Sequence, residues 1–133
     1  MKTVDVFVYG TLRMSGSNHD LVKKFIINSL PYQIRGSLYN VGMYPALVLG
    51  DTNGIVSGER ITIPEHILVN LDRLEGFFGP GDQHNLYDRI LHTDENGSRF
   101  YVYTWTFEKI AAKGLKLIES GDWISFQRGL VFS

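Results

Sequence analysis

Thr3-Val4-Asp5-Val6-Phe7-Val8-Tyr9-Gly10 alternates in register, with Val4, Val6 and Val8 on one face and Asp5, Phe7 and Tyr9 on the other. A strand that carries bulky apolar groups on both faces is covered on both sides. The stretch therefore predicts an internal strand that stops at Gly10. Downstream, Leu21, Val22, Phe25 and Ile26 recur at helical spacing behind a cap at Ser17 or Asn18, while Lys23 and Lys24 fall on the other face. This predicts a first helix running to about Leu30, before Pro31.

Short strands follow at Tyr32 to Tyr39, Ala46 to Leu49 and Ile55 to Ile63, punctuated by Gly42, Pro45, Gly50 and Asn53-Gly54. Pro64 suits a first helical turn, and Ile67, Leu68, Leu71 and Leu74 mark a short amphipathic helix stopped by Gly76. Gly79, Pro80 and Gly81 make Phe77 to Asn85 a loop with the character of a lid. Tyr87 to Thr93 and Arg99 to Phe107 read as a hairpin around Asn96-Gly97. The tail is weakly periodic and has room for a short helix or another strand.

The chain has 133 residues, which fit one domain, 1–133. With 44% hydrophobic and 20% charged residues it is neither disordered nor fibrous. Thirteen Lys and Arg against fourteen Asp and Glu leave a net charge of -1, so no basic excess supports a nucleic-acid partner. There is no cysteine, hence no disulfide, thiolate nucleophile or thiolate ligand. The first apolar run carries Asp5 and breaks at Gly10, too polar for a signal peptide, and no stretch reaches about 18 apolar residues. A soluble cytoplasmic protein with no membrane partner is expected.

Glu75 is the most informative polar residue. At 100° per residue it projects inside the apolar arc of its helix, between Leu71 and Leu68, while Asp72 and Arg73 fall outside. A carboxylate on an inward face at a helix C-terminus has its pKa raised by desolvation and by the dipole, and it can exchange protons near neutrality. The alternatives are a structural carboxylate paired with an arginine such as Arg89, or a frayed helix end. The second feature is Tyr9-Gly10-Thr11-Leu12-Arg13, where a buried strand turns sharply. Glycine there permits backbone N–H groups to converge on a carboxylate or a developing oxyanion, and an ordinary turn is the alternative. Walker A and G-x-G-x-x-G spacings are absent, as is G-x-S-x-G. His19, His66, His84 and His92 are scattered, so neither a metal nor a cofactor is expected. Tyr101, Tyr103, Trp105 and Phe107 form an aromatic stripe that reads as core.

Val6-Phe7-Val8-Tyr9-Gly10-Thr11-Leu12-Arg13, Asn18-His19, Gly42-Met43-Tyr44-Pro45-Ala46, Leu71-Asp72-Arg73-Leu74-Glu75-Gly76-Phe77, Tyr87-Asp88-Arg89, Tyr101-Val102-Tyr103 and Gly121-Asp122-Trp123 follow in order along nearly the whole chain. Together they resemble the γ-glutamylcyclotransferase-like superfamily, in the branch of AIG2-like proteins and γ-glutamylamine cyclotransferases. The resemblance implies an α+β fold in which a small mixed, mostly antiparallel β-barrel with flanking helices encloses one cavity. It implies release of 5-oxoproline from a small γ-glutamyl amine or peptide, with Glu75 as general acid/base. Tyr9, Gly10, Thr11 and Leu12 would hold the substrate. Tyr87 and Arg89 lie two apart on a strand, hence on one face, which suits them either to orient the carboxylates of the substrate or of Glu75 or to pack in the core. The Gly79-Pro80-Gly81-Asp82 segment is longer than the family pattern and bears on pocket shape. Two other readings compete with this one: a non-catalytic module binding a small acid in the same pocket, and a paired-carboxylate glycosidase using Glu75 with Asp82 or Asp88.

Overall fold

The structure, a computed structural model, describes residues 1–50 and 53–132. Strand β1 (Thr3–Val8) lies inside a five-stranded sheet, antiparallel to β5 (Ile55–Pro64) on one side and parallel to β7 (Arg99–Thr104) on the other. Both of its faces are covered, as the alternation predicts. Val6 and Val8 pack with Ile61, Ile63 and Leu71 in one core, and Phe7 and Tyr9 pack with Ile34, Val56 and Phe100 in the other. Asp5, the polar exception, accepts hydrogen bonds from Arg60 (2.8 Å) and Thr62 (2.6 Å) of the neighbouring strand.

The sheet is completed at its edges by β2 (Asn28–Arg35) beside β5 and β6 (Asp88–Thr93) beside β7. A second sheet holds β3 (Ser37–Asn40) between β4 (Pro45–Val48) and β8 (Lys116–Leu117). It meets the first where Trp105 N–H donates to Leu47 O (2.9 Å). The fold is thus α+β, mixed and mostly antiparallel. Among the described residues no ladder joins the two sheets into a closed barrel.

Residues 18–30 do not form the predicted helix. They make two 3-10 turns, His19–Leu21 and Lys23–Phe25, and then enter β2. Val22 is buried, but Leu21 and Leu30 face solvent, so the apolar period never found a single face. Pairing decides the segment: β2 runs beside β5 from Asn28 opposite Thr62 to Arg35 opposite Ile55, and the ladder begins inside the predicted helix.

Pro64 ends β5 rather than opening a helix. A 3-10 turn at Glu65–Ile67 leads into α1 (Leu68–Glu75), which Gly76 closes in the left-handed conformation (φ 66°). The β6–β7 hairpin turns through Gly97 (φ 79°), with the Asp94 carboxylate accepting from the N–H groups of Asn96 and Ser98. The strand is shorter than expected: Phe107 leaves the aromatic stripe and opens α2 (Phe107–Lys113), capped by Thr106, and its ring is exposed. The tail supplies both a strand, β8, and a helix, α3 (Trp123–Phe132).

Candidate active site

The turn after β1 is fastened from outside. Arg13 donates to Glu59 (2.7 Å) on β5 and to Asp122 (2.9 Å) at the head of α3, and Met14 N–H donates to the other oxygen of Glu59 (2.7 Å). From the opposite flank, Asn18 donates through its backbone to Thr11 O (2.8 Å) and through its amide to Thr11 Oγ1 (3.1 Å). His19 Nδ1 lies 3.0 Å from Leu12 O. Among the described residues, the N–H groups of Gly10, Thr11 and Leu12 donate to no protein acceptor. Gly10 permits a close crossing here, since a Cβ at this position would sit 2.8 Å from the Pro45 ring.

This turn and the end of α1 line one cavity of about 450 Å³, which also receives Tyr9, Tyr87 and Tyr103. Glu75 reaches it from the last turn of the helix. It has no hydrogen-bond or ion-pair partner among the described residues, and burial pushes its pKa from 4.5 up to about 7. Arg89 pairs with Asp72 instead, 2.5 Å away, and stacks between the rings of Phe77 and Tyr101. The alternative of a structural Glu75–Arg89 pair is therefore not what the chain adopts.

Three tyrosines surround the carboxylate with their protons already committed. Tyr9 donates to Tyr103 O (2.6 Å), Tyr87 to Pro45 O (2.6 Å) and Tyr103 to Asp72 Oδ1 (2.7 Å). Desolvation raises all three hydroxyl pKa values, and the negative charge of Glu75 adds to the rise in each. These hydroxyls stay neutral and offer lone pairs rather than protons to a guest.

Periodicity alone missed Asp72, because a carboxylate buried through pairing leaves no apolar signature. It likewise missed Asn85 and Lys109. Asn85 accepts from Phe78 N–H (2.6 Å) and donates to Gly79 O (2.8 Å), folding the expected lid back on itself. Lys109 donates to Leu86 O (2.6 Å) with its ammonium 4.2 Å from the Trp105 ring centroid. Asp82 binds His84 outside the cavity, and Asp88 does not line it either, so neither carboxylate stands beside Glu75 as a glycosidase pair requires.

A mixed sheet flanked by short helices thus carries one cavity lined both by the Gly10 turn and by the carboxylate of Glu75, which has no partner among the described residues. The chain belongs to the γ-glutamyl cyclotransferase, AIG2-like family, whose pattern it matches over residues 6–125. It is 39% identical over 107 residues to the γ-L-glutamyl-butirosin B γ-glutamyl cyclotransferase of Niallia circulans, covering 79% of this chain and 67% of the relative. Among solved structures it is similar to an AIG2-like protein from Mus musculus (TM-score 0.56, 25% identity, 79% of this chain and 78% of that one). It is also similar to YkqA from Bacillus subtilis (TM-score 0.68, 26% identity), where it covers 99% of this chain but 44% of the longer one. No helix among the described residues is long and apolar enough to cross a membrane.

Proposed function

We propose that the protein is a γ-glutamyl cyclotransferase that releases 5-oxoproline from a γ-glutamyl amine or peptide, with Glu75 as its one general acid/base. The observation that carries this is Glu75 itself, unpaired, partly desolvated and lining the same cavity as the Gly10 turn. A γ-glutamyl compound holds nucleophile and electrophile in one molecule, so the protein has only to fold it and move protons.

The donors and acceptors of the cavity match the two ends of the substrate. The N–H groups of Gly10, Thr11 and Leu12 suit the α-carboxylate or the developing oxyanion, while the oxygens of Tyr9 and Tyr87, with their protons engaged elsewhere, suit the α-ammonium. Glu75 as carboxylate takes one ammonium proton. The freed amine attacks the γ-carbonyl carbon, a C–N bond closes the five-membered ring, and the carbonyl π-pair moves onto oxygen. When that pair returns, the original amide C–N bond breaks as Glu75 passes its proton to the departing nitrogen. The restored carboxylate then takes the second proton from the ring nitrogen and hands it to the released amine, which leaves as an ammonium, so Glu75 ends ionised as it began. Ring closure and the proton transfers involve only the substrate and one carboxylate, so the proposed step calls on no metal or cofactor.

The test is to incubate the pure protein with γ-glutamyl amino acids, γ-glutamyl amines and γ-glutamyl-ε-lysine and to follow 5-oxoproline by mass. Formation of 5-oxoproline from at least one class is expected. Binding of a γ-glutamyl compound without any 5-oxoproline would establish a non-catalytic binding module instead.

A further inference from the structure

We propose that Met43, Leu74 and Leu86 form a subsite for the departing amine, and that the enzyme favours γ-glutamyl amides of alkyl and arylalkyl amines over those whose leaving group carries a charge. This inference rests on the cyclotransferase reading above and narrows its substrate class.

The cavity holds more than the acyl half. A volume of about 450 Å³ lies in the range of pockets that enclose whole small-molecule ligands, and a γ-glutamyl group alone leaves much of it free. Its lining changes character from inside to outside. Tyr9, Tyr87 and Tyr103 are buried, whereas Met43, Leu74 and Leu86 line the same cavity while 88%, 46% and 37% exposed. The departing amine must leave towards solvent, and these three side chains form the apolar side of the exposed rim, opposite in character to Ser17 and Asn18, which line it beside the Gly10 turn that suits the acyl half.

Each is presented by a fixed piece of backbone next to a residue of the site. Met43 sits on a tight turn closed by Val41 N–H to Tyr44 O (3.1 Å), with Gly42 N–H on the Asn40 amide oxygen (2.9 Å). Leu74 precedes Glu75 on α1. Leu86 precedes Tyr87, and Lys109 holds its carbonyl. Three large apolar groups kept at a cavity mouth, where packing does not require them, mark a contact surface for a ligand.

Charge narrows the ligand further. Among the described residues that line the cavity, none is Lys, Arg or His, and Glu75 is the one Asp or Glu. The neighbouring cations are engaged: Arg13 with Glu59 and Asp122, Arg89 with Asp72, Lys109 with backbone carbonyls. A carboxylate on the leaving group finds no counter-ion. An ammonium finds only Glu75, which the proton transfers occupy. Either charge loses hydration against the apolar rim without compensation.

The test compares kcat/KM for 5-oxoproline release from γ-glutamyl ethylamide, butylamide, hexylamide and benzylamide with that for derivatives of the diamine and the amino acid of butyl length. Each added methylene should raise kcat/KM roughly two- to fourfold. Both charged-tail compounds should fall at least about tenfold below the butylamide, since an uncompensated charge costs more than a methylene contributes. Because Met43 is almost fully exposed, Met43→Glu and Met43→Lys should fold normally. The first should shift preference towards the diamine derivative and the second towards the amino-acid derivative. A flat profile, a charged-tail preference in the parent, or an order unmoved by both variants would overturn the subsite while leaving the cyclotransferase reading intact. No 5-oxoproline from any compound would overturn that reading, and the subsite with it.

Discussion

The hydroxyl of Tyr103 donates to Asp72 across 2.7 Å, joining the strand that walls the cavity to the helix that ends in Glu75. Asp72 also holds Arg89 from β6, so one carboxylate ties three elements together behind the site. Its removal leaves a guanidinium with no ionic partner between two rings. Asp72→Ala should therefore cost about 2–3 kcal/mol, seen as a fall in Tm of roughly 5–10 °C. Asp72→Asn keeps the acceptor for Tyr103 and should cost less. Equal melting points for both variants and the parent would show that this junction contributes nothing.

Lys109 is expected to act on the site from a distance. Its ammonium fixes the carbonyl of Leu86 and lies over Trp105, so it holds the segment that carries Tyr87 into the cavity. Lys109→Met should raise KM several-fold and leave kcat nearly unchanged, with a stability loss of about 1 kcal/mol. A large fall in kcat at constant KM would indicate that Lys109 touches the reacting groups, which the geometry does not support.

The contrast between Glu75 and Asp72 shows what a sequence can disclose. Glu75 was visible because it breaks an apolar arc, and β1 and the β6–β7 hairpin were visible because strand alternation and an Asn-Gly turn are local signals. Asp72 lies outside that arc and is drawn inward only by Arg89 and Tyr103, partners far along the chain. Residues 18–30 failed for the same reason. Their apolar spacing is helical, yet the unsatisfied edge of β5 offers a ladder to Asn28–Arg35, and long-range pairing overrides a weak local preference. The Gly10 turn was legible as a turn. Its contact with the Pro45 ring was not, because nothing local links the two.

Stability should depend on pH through Glu75. Below about pH 4.5 the residue is protonated in both folded and unfolded chains. Between 4.5 and about 7 the folded protein keeps a proton that the unfolded chain has lost, so stability falls as pH rises, and above about 7 the loss is complete. The whole effect should reach about 3 kcal/mol. Urea titrations of the parent and of Glu75→Gln at pH 5 and pH 8 check the sign: the parent should lose stability relative to the variant at the higher pH. A gap that is constant with pH would mean that Glu75 is not desolvated. In the proposed mechanism the carboxylate form takes the first proton, so kcat/KM should rise with pH around the same value near 7.

Glu75→Gln also tests the chemistry apart from the packing. It keeps the volume and the polar atoms of the side chain but can neither accept nor return a proton. General acid/base catalysis is typically worth about 100- to 10,000-fold, and kcat should fall by that much while binding of a γ-glutamyl compound persists, as read by calorimetry. Since Glu75 has no ionic partner among the described residues, the substitution breaks no pair, and it relieves a desolvated charge. The variant should therefore be at least as stable as the parent at pH 8. If Glu75→Gln instead unfolds where the parent is intact, and each remaining folded molecule turns over as fast as before, Glu75 is a structural residue and the proton has to travel by another group.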